Sequence, residues 1–160
     1  MQSNRIYNSP DVRIAKMDDL MPLMLEGLEN GRTVTFSPRG ISMLPMLVQG
    51  RDSVVLSPVT GRLKKYDIPL YKRDDGSYIL HRVVKVGEAY TCIGDNQFDY
   101  EHGVTHESII GVVSEFTRKG KKYSVNALSY KLYCRFRHFS RPLRKLWRKI
   151  KRKLHKIGKK

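Results

Sequence analysis

Apolar and polar residues alternate in short runs over 32–113, and these runs read as strands. Thr33-Val34-Thr35-Phe36 and Ser53-Val54-Val55-Leu56 come first, with turns at Gly50-Arg51-Asp52 and Ser57-Pro58. Asp67-Ile68-Pro69-Leu70-Tyr71 is a third, and its proline confines it to a sheet edge or a strand start. Asp74-Asp75-Gly76-Ser77 predicts a hairpin turn, followed by one continuous strand over 78–86. Gly87-Glu88 then turns the chain back into a strand over 89–93, and a last strand covers 109–113. Short strands at this spacing predict an all-β, barrel-like core with no internal repeat. Ahead of them, Leu20, Met24 and Leu28 recur at four, with Met21 and Leu25 on the adjacent ridge, which predicts a short amphipathic helix. Pro22 puts its start close to Met21, and Asn30-Gly31 ends it. Beyond Glu115 the period becomes three and four, through Leu128, Leu132, Phe136 and Phe139 and on to Leu143, Leu146, Trp147, Ile150, Leu154 and Ile157. Pro142 divides this tail into two helices.

Charge divides the chain near the same place. Residues 1–115 carry 13 Lys and Arg against 15 Asp and Glu, whereas residues 116–160 carry 18 Lys and Arg and no acid. The net charge of +16 therefore belongs to the tail, which implies two parts with different tasks. The expected organisation is an N-terminal arm and short helix over 1–31, a β domain over 32–115 and a basic amphipathic helical tail over 116–160. Cys92 and Cys134 make no metal-ligand spacing, and two free thiols in a reducing compartment fit them best. No metal or other cofactor is expected. No run approaches the ~20 apolar residues of a membrane span, and no signal peptide is read at the N-terminus.

Three stretches carry chemistry. Gly40-Ile41-Ser42-Met43-Leu44-Pro45 follows a strand and holds a hydroxyl at a sterically open turn, which suits a nucleophile. A serine in such a turn is by itself usually only a turn residue. Ile79-Leu80-His81-Arg82-Val83-Val84 and Gly94-Asp95-Asn96 change that reading. In this order and spacing the three resemble the signal peptidase clan of serine peptidases over roughly residues 33–113. His81, where many relatives hold a lysine, is similar to the branch typified by endoplasmic-reticulum, archaeal and some Gram-positive signal peptidases. The resemblance implies a signal-peptidase-like β barrel or sandwich. It also implies Ser42 as nucleophile, His81 as general base and an acid that orients the imidazole. Asp95 is the first candidate for that acid, with Asp99 and Glu101 as alternatives. Lys85, four residues on in the same expected strand, is the one plausible lysine stand-in for the base.

Relatives typically read Ser-Gly-Ser-Met, but Gly40 and Ile41 stand here in the first two places. Gly-x-Ser-Met is instead similar to self-cleaving SOS repressors, so the backbone amides of Ser42 and Ile41 are expected to bind the oxyanion. A peptide substrate is expected to add as a strand along Gly40, Ile41 and Met43 on one side and Tyr78, Ile79 and Leu80 on the other. The function implied is an endopeptidase that processes a leader or precursor peptide, in the cytoplasm or peripherally on the inner membrane face. Self-cleavage is disfavoured, because about 40 residues precede Ser42 and they hold no Ala-Gly or Cys-Gly bond. The competing class is a degenerate peptidase-fold adaptor that works through its tail. The stripe of Leu143, Leu146, Trp147, Ile150, Leu154 and Ile157 points to an anionic membrane surface rather than to nucleic acid.

Overall fold

A computed structural model describes residues 17–157, with the side chains of residues 18 and 153–157 outside the description. The arm before residue 17 and the side chains of Leu154 and Ile157 thus lie beyond the described residues. Among those described, the protein is mainly β, with two antiparallel sheets that do not close into a barrel and three helices. The larger sheet runs β1 (Val34–Phe36), β2 (Ser53–Ser57), β8 (Ile109–Arg118), β3 (Pro69–Lys72) and β4 (Tyr78–Leu80), with β9 (Lys121–Ser124) also paired to β8. The smaller sheet is β5 (Arg82–Val86), β6 (Tyr90–Ile93) and β7 (Glu101–Val104).

The strand expected over 78–86 breaks at His81. Its first part stays at the edge of the larger sheet and its second opens the smaller one. Leu80, His81, Arg82, Val83 and Val84 are all buried. Alternation disappears there because the chain passes between the two sheets, where neither face meets water. Two apolar clusters result. One gathers Met21, Met24 and Leu28 of α1 (Met17–Glu29) with Val54, Leu56, Leu70 and Val113 of the larger sheet. The other lies under the smaller sheet, around Tyr71, Val83, Tyr90 and Cys92. Consecutive β3 residues thus serve different clusters: Leu70 faces the first and Tyr71 the second.

Other boundaries also move. Among the described residues α1 is already helical at Met17, ahead of the start expected close to Met21, with Pro22 inside it. Pro69 is the first residue of β3, where a missing amide is tolerated. The change of composition at Glu115 falls within β8, which runs past the expected end at Val113 to Arg118 and turns back as β9, a strand the sequence pattern does not predict. Phe116 is buried in the first cluster, so the tail begins inside the β unit. Of the two tail helices, α2 (Leu128–Phe139) sends Tyr130 and Cys134 into that cluster, and α3 (Arg141–Ile157) follows after Ser140. No helix among the described residues is long and apolar enough to cross a membrane.

Candidate active site

Ser42 sits in a tight turn anchored from beneath by Met43, Met46 and Leu47, all buried. The Leu47 amide donates to the Met43 carbonyl at 3.0 Å, and the Gly40 amide donates to Gln49 Oε1 at 2.7 Å. Gly40 holds φ of +90°, a conformation that favours glycine. The Gly-Asp-Asn stretch clasps the turn from the side. Asn96 donates its amide to the Ser42 carbonyl at 2.7 Å and its side-chain nitrogen to the Ile41 carbonyl at 3.2 Å. Gly94 packs so closely that a Cβ there would lie 2.7 Å from that same carbonyl oxygen. The amides of Ile41 and Ser42 have no acceptor among the described residues, as an oxyanion site requires.

His81 is 3% exposed. It lines the same cleft, of about 1070 Å³, as Ser42. The cleft also carries Gly40, Met43, Tyr78, Ile79 and Leu80, so five of the six residues expected to bind substrate meet there. The sixth, Ile41, is exposed and lines a polar recess on the other side of Ser42 together with Arg73, Asn96 and Asp99. Ser42 and His81 share no hydrogen bond, and Nε2 of the ring has no partner among the described residues. Such contacts often tighten only when substrate binds.

The other ring nitrogen is held. His81 Nδ1 lies 3.5 Å from Glu101 Oε2 and 3.4 Å from the Tyr71 hydroxyl. Glu101 is gripped by Arg73 through two bonds, Nε to Oε1 at 2.5 Å and a terminal nitrogen to Oε2 at 2.6 Å. Burial lowers the pKa of His81 to about 4, against the upward pull of Glu101. The imidazole is therefore neutral at about pH 7, with Nδ1 directed at the carboxylate and Nε2 free to take a proton. Burial works against ionisation of Glu101, yet Arg73 and Tyr71 outweigh it and hold its pKa below the usual carboxylate range.

Asp95 is the main departure from expectation. Its carboxylate is wholly buried and meets Arg82 rather than His81, with Arg82 Nε on Oδ1 at 2.8 Å and a terminal nitrogen on Oδ2 at 2.9 Å. The Tyr133 hydroxyl donates to the same carboxylate at 3.0 Å. Burial opposes this charge too, but Arg82 more than offsets it and keeps the Asp95 pKa low. Arg82 itself is buried and reaches Tyr130, Cys134 and Met46, so it braces the serine turn against α2. Asp99 is exposed and lines the polar recess. Lys85 is exposed on β5 beyond a bulge and lines neither depression, because the break at His81 removes the shared face assumed for it.

Comparison with protein-family models, with curated proteins and with solved structures finds no match. The chemistry therefore rests on this geometry alone. A half-exposed hydroxyl and a neutral imidazole line one cleft, and the imidazole is backed by an ionised carboxylate. No group of His, Cys, Asp or Glu among the described residues is arranged to hold a metal, and both cysteines are buried free thiols. Arg73 and Tyr71 had no signal in the sequence as site residues. Arg73 stands in a turn beside two aspartates, and only the pairing of β6 with β7, Cys92 opposite Glu101, brings the glutamate to it.

Proposed function

We propose that this protein is a serine endopeptidase resembling the signal peptidases, with Ser42 as nucleophile, His81 as base and Glu101 as the acid that orients it. The observation that carries the reading is His81 Nδ1 facing the Arg73-held carboxylate of Glu101 while the ring lines the Ser42 cleft. In the reaction, His81 Nε2 takes the Ser42 Oγ proton as Oγ attacks the scissile carbonyl carbon. The Ile41 and Ser42 amides hold the resulting oxyanion. The C–N bond then breaks, the leaving amine takes the proton from His81, and water releases the acyl group by the same relay. Because β4 is the edge strand of its sheet, a substrate backbone can pair along Tyr78–Leu80 without displacing any described strand. Met43, Leu47, Leu70 and Leu80 line the cleft, which suits apolar residues on the acyl side of the cut; the polar recess suits the leaving side. The substrate class is a leader or precursor peptide, in keeping with the signal-peptidase-like arrangement of motifs.

A fluorophosphonate probe tests this directly. The wild type should be labelled at Ser42, with labelling abolished by Ser42→Ala and nearly so by His81→Ala. Because nucleophile and base act as a unit, the double variant should be little worse than either single one. A folded wild type that resists the probe while retaining peptide binding would make the protein an adaptor on a peptidase fold.

A further inference from the structure

An amphipathic helix in a soluble protein turns its apolar stripe to the core and its charges to water. α3 is mounted the other way round. Leu143, Leu146, Trp147 and Ile150 stand 42–70% exposed. Its arginines instead reach the body. The Arg141 guanidinium lies 5.7 Å from the Tyr100 ring centroid, and those of Arg144 and Arg148 lie 5.9 and 5.4 Å from that of Phe98. Arg144 also donates to the Asp95 carbonyl at 3.1 Å. α2 is two-sided: its inner face is in the core, while Leu128, Leu132, Phe136 and Phe139 are 55–72% exposed. Phe136 thus faces away from the body. Ser140 stays helical in conformation, and hydrogen bonds from its amide to Phe136 and from the Arg144 amide back to it span the junction. At 3.6 residues per turn the outer row of α2 then runs on into the stripe of α3. Monomeric proteins rarely leave so extended an apolar surface in water.

We infer that this surface lies on an anionic bilayer, with α2 and α3 embedded at the headgroup level. Residues 116–160 hold 18 Lys and Arg and no acid, so the same surface of a second copy is repelled while an anionic leaflet is complementary. Lys145, Lys149 and Lys151 are exposed and flank the stripe, and Trp147 suits the boundary between headgroups and acyl chains. Nucleic acid would meet the charges but has no use for the apolar row. Arg148 lines the polar recess beside Ser42 as well, so anchor and site share a wall. A bound protein thus meets its peptide at the membrane surface, a consequence that rests on the peptidase reading; lipid binding itself does not.

The test uses the full chain carrying Ser42→Ala, so that peptidase activity plays no part. Binding is measured to vesicles of phosphatidylglycerol with phosphatidylcholine, to phosphatidylcholine alone, and to a short RNA and a DNA duplex. Two double variants keep every charge: Leu146→Ser with Ile150→Ser, and Phe136→Ser with Phe139→Ser. All four side chains point outward, and circular dichroism with the thermal midpoint checks the fold. The expected result is selective binding to the anionic vesicles with a blue shift of Trp147 fluorescence. Each double variant should weaken it roughly tenfold or more, while nucleic-acid affinity changes less than about twofold. Unchanged vesicle affinity in both folded variants would overturn the inference, as would no vesicle binding at all. So would a loss confined to nucleic acid, or a dimer that the same substitutions dissociate.

Discussion

At the scale of single residues, two acids near the site do different work, and pH separates them. Burial holds His81 at about 4, so kcat/KM should rise with a midpoint near there and stay flat above roughly pH 6. Glu101 raises that pKa by its charge, so Glu101→Gln should lower the midpoint further and cut the plateau roughly a hundredfold, as the imidazolium loses its partner. Arg73 pulls the His81 pKa down, so Arg73→Gln should move the midpoint up. Asp95 also raises the His81 pKa, but as the smallest of the contributions, so Asp95→Asn should lower the midpoint less than Glu101→Gln does. It should also destabilise the fold by about 3 kcal/mol or more, since it strands Arg82 without its counter-charge. Glu101→Gln behaving like wild type while Asp95→Asn abolishes turnover at unchanged stability would return the orienting role to Asp95.

At the scale of elements, the decisive contact joins the turn after β6 to the serine turn. Gly94→Ala would set a Cβ 2.7 Å from the Ser42 carbonyl oxygen and 3.0 Å from Ser42 Cβ, with backbone on one side of the clash. The serine turn must shift, and a displacement of under 1 Å is enough to impair attack. Turnover should fall at least about tenfold, with a smaller effect on the thermal midpoint. Gly61→Ala is the matching control, because a Cβ there meets nothing within 4 Å, and it should keep full activity. Equal activity in the two variants would mean that Gly94 does not position Ser42.

At the scale of the whole molecule, acid should weaken the fold in two stages. His81 binds its proton near 4 when folded and near the ordinary 6.5 when unfolded, so the unfolded chain gains the proton first. Stability is complete above about 6.5 and declines as pH falls toward 4, by roughly 2 kcal/mol at pH 5. A second decline follows below the ordinary carboxylate range. There the unfolded chain takes up the proton while Asp52, held at about 2 by Arg51 against the cost of burial and helped by the Val48 and Lys119 amides, still keeps its charge when folded. Urea midpoints at pH 7, 5 and 3 would resolve both stages. His81→Gln should remove the first and keep the second, and an unchanged slope between pH 7 and 5 in that variant would mean another group controls it.

What the sequence determined by itself is local. Alternation marked β1, β2 and β3, the Asp-Asp-Gly-Ser turn marked the β3–β4 hairpin, and periodicity with Pro142 marked the two tail helices, because each pattern depends on neighbours a few residues away. Ser42, His81 and Glu101 were all legible as candidates, but not which acid lies beside the histidine. β7 gave no signal, since Glu101, His102 and Gly103 show no apolar alternation and only Val104 is buried. Its pairing with β6 is a long-range matter of register, and that pairing sets Glu101 beside His81 while Arg82 takes Asp95. The break at His81 was equally hidden, because a buried run reads the same whether it crosses one sheet or passes between two. Tertiary structure alone also decided the outward apolar row of α2 and α3. A helix pattern identifies two faces, but only the body it docks on selects which one is covered.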